Sequence, residues 1–322
     1  MKVSVVIPNY NGEKYLKDCL DSLFRQTFRA FEIIIVDNDS KDNSLQLILK
    51  NYNNIKLLRL LANYGFSKAV NEGIKAAKGE YIVLLNNDTV VDNHWLENLV
   101  KCIERDKKIF SCCSKMVRYS KRRTIDDAGD GYNIFGWAYK RGDGVSVNKY
   151  CKSQSVFSSC AGAAIYRKDI LDKIGYFDED FFAYMEDVDI SFRAKIHGYR
   201  NVYCSDAIVY HVGSATSGSK YNSFKVKLAA RNNIYVIYKN MPFLMFIINL
   251  PFLLLGFIIK GLFFAVKGFG KEYMSGIYEG INGISKIKKI KFQRKHFINY
   301  VKIEWEMILN TFRYVFNKLL KY

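Results

Sequence analysis

Four short apolar runs, each stopped by polar or turn-forming residues, alternate with helical patterns across the first ninety residues. The runs are Val3 to Ile7, Phe31 to Val36, Ile55 to Leu60 and Tyr81 to Leu85, all of strand length. Between them, Tyr15, Leu16, Cys19, Leu20 and Leu23 recur at helical spacing. Ser44 to Lys50 reads as a second helix, and Ala69, Val70, Gly73, Ile74 and Ala77 mark a third, stopped by Gly79. Strands alternating with helices predict a parallel sheet with right-handed crossovers. Sheets of that kind bind ligands off the carboxyl ends of their strands.

The residues at those ends carry suitable chemistry. Asn86-Asn87-Asp88 follows the fourth run, and a carboxylate there can hold a hard divalent cation that bridges phosphates. The plainer reading is a turn, or, with Asp92, a cap on the helix starting near His94. Asp37 ends the second run and can accept the N3–H of a uracil or thymine ring. A turn is the alternative there; a helix cap suits Asp42 better. The loop Pro8 to Gly12 ends the first run and lines the same crevice. It is neither a GxGxxG nor a Walker loop, so dinucleotide and P-loop chemistry are not indicated.

Beyond residue 90 the rhythm changes. Trp95 to Ile103 reads as helix and Ile109 to Val117 as strand. The stretch 118–148 reads as loops or a short hairpin. Ala163 to Tyr166 is a strand, Lys168 to Ile174 and Met185 to Ile196 are helices, and Tyr199 to Cys204 is a strand. Glu186, Asp187 and Asp189 open the second of those helices, with Asp189 and Arg193 an i,i+4 pair. Helix-dipole stabilisation and a solvated ion pair account for some of these acids. They also follow the aromatic run Tyr176 to Phe182, where a partly desolvated carboxylate is poised as a general base. His211, one of four histidines, precedes a Gly/Ser-rich tract, 213–219, that suits a closure over phosphates. Alone, that histidine reads as structural.

The seven cysteines form no CxxC pair, so neither a zinc site nor a disulfide framework is expected, and a reducing compartment fits. The N-terminal apolar run is too short for a signal peptide. Residues 241–322 carry about half of the net charge of +18. They open with an uncharged apolar stretch, Met241 to Ile259, interrupted by Pro242, Asn249, Pro251 and Gly256. That pattern suits a helical hairpin or in-plane helices better than a single span. Ile284 to Phe292 is a basic amphipathic segment. Val301, Trp305, Ile308, Phe312, Val315 and Leu319 form a stripe for which ordinary core packing is the plainer reading. Apolar runs beside basic clusters suit an anionic membrane surface, and no helix-turn-helix, RRM or zinc-finger pattern supports nucleic-acid binding.

Residues 3–12, 36–42, 63–73, 84–88, 186–189 and His211 together resemble, in order, the motifs of family 2 glycosyltransferases of the GT-A fold, closest to a rhamnosyltransferase-like bacterial branch. The resemblance covers roughly residues 1–240. It implies an α/β, Rossmann-like catalytic domain over 1–240 and a membrane-associating helical tail over 241–322. It implies inverting transfer from a nucleotide-diphosphate sugar, dTDP-rhamnose first, to a lipid-linked or polysaccharide acceptor at the cytoplasmic face of the membrane. Asp37 would read the base, with Pro8, Tyr10, Asn11, Asn63 and Gly65 around the nucleoside. Asn87 and Asp88 would meet the diphosphate, and Asp88 and His211 would bind Mg2+ or Mn2+. Asn86 stands where the family's Asp-x-Asp motif has its first acid. Gly162 would allow close approach of the sugar, and Asp187 would be the catalytic base. Members of this kind also carry Arg231-Asn232 and Lys239-Asn240-x-Pro242. A nucleotidyltransferase on a similar fold and a non-catalytic membrane scaffold remain the alternatives.

Overall fold

A computed structural model describes residues 1–213 and 221–319. The Gly/Ser tract from Ser214 onward lies outside the described residues. In chain order the N-terminal half runs β1 (Val3–Asn9), α1 (Glu13–Phe24), β2 (Phe31–Asp37), α2 (Ser44–Asn51), β3 (Lys56–Arg59), α3 (Gly65–Ala76), β4 (Tyr81–Leu85), β5 (Thr89–Val91) and α4 (Trp95–Glu104). Next come β6 (Ile109–Arg118), β7 (Ile125–Asp127), β8 (Asp130–Tyr132), β9 (Ala138–Lys140), β10 (Gln154–Val156), β11 (Ala163–Arg167), α5 (Lys168–Ile174), α6 (Glu186–Ile196) and β12 (Arg200–His211). Four helices finish the chain: α7 (Ser223–Asn240), α8 (Phe243–Val266), α9 (Gly270–Gly283) and α10 (Phe297–Leu319).

The main sheet has the order β10-β12-β6-β11-β4-β1-β2-β3. The expected parallel half, β4-β1-β2-β3, is present, and antiparallel β11 joins it to the mixed half. β2 lies on one side of β1 and β4 on the other, so the connections diverge at β1. The carboxyl ends of β1 and β4 therefore frame a crevice at a topological switch point.

Strand alternation divides the apolar residues between two layers. Val3, Val5 and Ile7 face α1, α2 and α4, whereas Val6, Ile34 and Val36 pack with α3, α5 and α6. Residues 118–148 hold the hairpin β8–β9, and β12 runs past the expected end at Cys204 to His211 through a register shift between Cys204 and Ile208. The Asp189–Arg193 pair is not solvated: it is a buried ion pair at 2.9 Å.

A third core crosses residue 241. It joins Tyr132, Phe157, Phe192 and Val236 with Met245, Leu253, Ile287, Tyr300, Ile303 and Met307. α8 is one continuous 24-residue helix through Pro251 rather than a hairpin. Met245, Asn249, Leu253 and Gly256 are buried, while Leu244, Ile248, Leu255, Ile258 and Leu262 are exposed. On α10 the expected stripe points outward at Val301, Trp305, Phe312, Val315 and Leu319, and Tyr300, Ile303 and Met307 do the packing. Asn249 donates to Glu304 at 2.8 Å, joining the two helices. Ile284 to Phe292 forms a 3-10 turn and an extended segment, with Ile287 buried and Lys286, Lys288, Lys289 and Lys291 exposed.

Candidate active site

The strand ends carry a ladder of side chains. Asn9, the last residue of β1, is fully buried and pairs in register with Asp37. Its Nδ2 donates to Asp37 Oδ1 at 3.0 Å, and its Oδ1 accepts from Asn87 Nδ2 at 2.8 Å. Asp37 also accepts the Ser40 N–H at 3.1 Å. A carboxylate offers about four acceptor positions, so this use leaves room for a ring N–H. Gly12 has no side chain for a specific reason: a Cβ there would lie 2.2 Å from Asn87 Nδ2 and Asn9 Oδ1.

The side of the crevice expected to meet the nucleoside is built from loops. Pro8 and Tyr10 are half-buried and Asn11 is exposed with φ of 51°. Asn11 binds the backbone of Lys41 through Oδ1, at 2.8 Å. Asn63 Oδ1 accepts from Asn38 Nδ2 at 2.9 Å and from Gly65 N at 3.0 Å, shaping the turn into α3. Asp42 is a local cap, accepting from Ser44 N and Glu13 N, and Asp92 caps His94 N at 3.0 Å.

Asp88 and His211 meet although 123 positions separate them, because β12 pairs with β5 and returns His211 beside Thr89. His211 Nε2 lies 3.4 Å from Asp88 Oδ1. Its Nδ1 is 2.8 Å from Asp126 Oδ2, which also receives Lys140 Nζ at 3.1 Å. Burial disfavours the charged imidazole, but Asp126 and Asp88 outweigh it and push His211 up to about 9. One carboxylate oxygen and one imidazole nitrogen at this separation suit neighbouring positions on a single divalent ion, where ligands lie roughly 3 Å apart. The second nitrogen is fixed by a carboxylate, the usual support for a ligating histidine. The residues present therefore fit Mg2+ or Mn2+. Burial lowers the ammonium of Lys225, at the start of α7; Lys140 lowers it further and Asp88 opposes the shift.

Asp187 lies at the start of α6 and is partly buried. Its Oδ1 accepts the Val188 N–H at 2.8 Å, and the Ala161 N–H also stabilises its charged form. Burial outweighs both and raises its carboxyl above the usual range. The contact with Ala161 ties Asp187 to the Cys160-Ala161-Gly162 segment. Gly162 accepts the Asn86 N–H at 2.9 Å, and a Cβ there would lie 3.0 Å from Asn86 Nδ2. Thus Asn86, the residue standing in for an acid, abuts Gly162 rather than His211. Behind this wall, ligand atoms of Asp127, Asp130 and Cys160 lie within 4.8 Å of one another. Asp189 is structural: burial opposes its charge, but Lys239, Arg193 and Asn240 hold its carboxyl below the usual range.

Sequence reasoning missed Asn9, Asp126 and Lys140. Asn9 looked like part of a turn, and Asp126 and Lys140 sit in the stretch without periodicity.

The crevice at the ends of the parallel strands, joined through an antiparallel strand to a mixed half, agrees with the GT-A fold expected from the sequence motifs. The profile of glycosyl transferase family 2 matches residues 4–175, just over half of the chain. The chain belongs to glycosyltransferase family 2. It is 36% identical over 105 residues to glycosyltransferase GlyG of Streptococcus pneumoniae, covering 32% of this chain and 35% of that protein. It therefore spans about a third of the length of that relative. Among solved structures, S. aureus TarS 1–349 in complex with UDP-GlcNAc superposes with a TM-score of 0.54 at 22% identity, over 93% of this chain and 79% of that one. GalNAc-T7 with UDP, GalNAc and Mn2+ gives 0.59 at 19% identity, over 72% and 47%. At such identities these two structures speak for the shared fold.

Proposed function

We propose that the chain is a metal-dependent, inverting glycosyltransferase that moves a sugar from a nucleotide-diphosphate donor to a hydroxyl of a lipid-linked or polysaccharide acceptor. The observation that carries this reading is the continuous line of side chains Asp37–Asn9–Asn87, with Asp88, His211 and Asp126 beyond it. It runs from a base-reading carboxylate to a diphosphate-binding corner across the strand ends. Asp37 accepts the ring N–H of the base, and the loops of Pro8, Tyr10, Asn11, Asn63 and Gly65 surround the nucleoside. Asp88 and His211 would hold Mg2+ or Mn2+, which would supply positive charge to offset the charge growing on the diphosphate. Asp187 takes the proton of the acceptor hydroxyl as that oxygen attacks the anomeric carbon. The bond to the diphosphate breaks on the opposite face, which inverts the configuration. Gly162 leaves room for the sugar. dTDP-rhamnose is the first donor to test and UDP-GlcNAc the second; thymine and uracil share the N3–H that Asp37 would accept.

The same reading puts the molecule at the cytoplasmic face of a membrane, peripheral or monotopic. The exposed apolar faces of α8 and α10 and the exposed lysines of 286–291 support contact with an anionic surface. Sedimentation with vesicles of anionic lipid, compared with neutral ones, checks this. Ile258→Glu with Leu262→Glu should abolish the binding.

The central test is a donor screen on the purified full chain with Mn2+. Release of a nucleoside diphosphate and an inverted product are expected. Asp187→Asn should lose about a hundredfold or more in turnover while still binding the nucleotide. Release of pyrophosphate would identify a nucleotidyltransferase instead, and turnover undiminished in Asp187→Asn would remove Asp187 from its role.

A further inference from the structure

The segment that delivers Asp187 to the site is strained. Phe182, Tyr184 and Met185 have φ of 62°, 69° and 70°, and none is glycine. A left-handed conformation brings Cβ too close to the following carbonyl oxygen, so residues other than glycine avoid it. Phe182, with ψ of −64°, closes a γ-turn in which Ala183 N–H reaches Phe181 O at 2.7 Å. Turns with that sign of φ are the rare, strained kind. Met185 is the residue before the first turn of α6, which contains Asp187. Backbone held this way persists only where its surroundings over-determine it, and it concentrates at functional sites.

The surroundings here are one asparagine and its neighbour on α7. Asn232 is fully buried. Its Nδ2 lies 2.8 Å from Phe181 O, 2.8 Å from Ala183 O and 2.7 Å from Tyr184 O. Arg231 Nε donates to Asn232 Oδ1 at 3.0 Å, which turns the amide so that its donors face the strained turn. Arg231 Nη2 also donates to the carbonyls of Asp180 and Phe181, each at 3.0 Å. On the far side, Phe182 O accepts the Ser67 N–H at 3.2 Å. A Cβ on Gly65 would lie 2.5 Å from that same oxygen, so the turn is seated directly against the nucleoside-side loop.

We propose that Asn232, oriented by Arg231, is a positioning residue for Asp187. It gathers three carbonyls that solvent would otherwise draw apart, and so keeps the turn 181–185 in the one conformation that starts α6 with Asp187 beside Ala161. An asparagine suits the task because its amide donates twice through one nitrogen while its oxygen is anchored separately. This inference rests on Asp187 being the catalytic base.

The test compares Asn232→Ala, Asn232→Asp and Asp187→Asn in the full chain. In Asn232→Ala, kcat should fall roughly a hundredfold, the cost of a misplacement of about an ångström. Affinity for UDP should stay within about twofold, because uniform binding is untouched. Amide hydrogen exchange in 181–188 should rise, with the rest of the chain unchanged. Asn232→Asp should not rescue, since it supplies no donor. Met185→Gly added to Asn232→Ala should recover part of the lost kcat, because glycine adopts positive φ without penalty. Should Asn232→Ala fail to fold, Arg231→Gln serves in its place, with the same split between kcat and nucleotide affinity expected. Unchanged kcat and unchanged exchange protection in the folded variant would overturn the inference. Turnover that survives Asp187→Asn would instead overturn the assignment of the base, while the exchange measurement still reports on the clamp.

Discussion

Asp126 shows how a residue can matter without touching a substrate. It holds one face of the His211 ring and is itself held by Lys140. Asp126→Ala should weaken Mn2+ binding about tenfold to a hundredfold in a titration followed by electron paramagnetic resonance. Asp127, next in sequence, behaves differently. Burial pushes its carboxyl up to about 6. The folded chain thus keeps this proton where the unfolded chain has lost it. The associated stability is full below about pH 4 and declines as pH rises through about 6. Asp127→Asn should therefore match the parent in stability at pH 4 and exceed it at pH 8, read by denaturant melts at the two pH values. Asp37, Asp88 and Asp187 were legible because each stands at the end of an apolar run or the start of a helix. Asp126 was not, since its partner is 85 positions away and the segment around it has no period to mark an inward face.

Among the elements, β1, β2 and β4 were legible to within a residue or two, because apolar runs of strand length bounded by turns leave few alternatives. β12 was read short because the register shift after Cys204 interrupts the alternation that marks a strand. Periodicity on α10 revealed a stripe, but a stripe does not reveal what covers it, and here the complementary face is the buried one. α8 passes through Pro251 because its Met245–Gly256 face is held by the molecule, which offsets the lost ladder bond. α9 packs closely on α7 through its glycines. A Cβ on Gly276 would lie 2.2 Å from Lys227 O, and one on Gly280 2.9 Å from Ile234. Gly276→Val should force the helices apart and destabilise the fold by roughly 1–3 kcal/mol, measured as a drop in the denaturation midpoint.

For the molecule as a whole, residue 241 is a change in composition and not a seam. Six residues of the third core, Met245, Leu253, Ile287, Tyr300, Ile303 and Met307, lie beyond it. Each buried side chain of this size contributes roughly 1.5–3 kcal/mol of burial, so losing all six leaves the core on the other side of residue 241 uncovered. A chain ending at residue 240 should therefore bind a hydrophobic dye and lose cooperative melting, whereas the full chain melts in one transition. The sequence showed that the tail was apolar and basic. It did not show that part of the apolar surface is turned inward, because burial against α6 and β8 depends on contacts between residues more than a hundred positions apart.

That packing has a consequence for how the protein is made. Synthesis proceeds from the amino terminus, so the parallel half and its ladder of side chains leave the ribosome first. The helix that clamps the turn before Asp187 follows, and α10, which closes the core beneath α6, emerges only after it. Until then α6, which carries Asp187 in its first turn, lacks part of the packing that fixes it. A polypeptide interrupted before α10 would leave Tyr132, Phe192 and Val236 without the side chains that cover them and would be prone to aggregate.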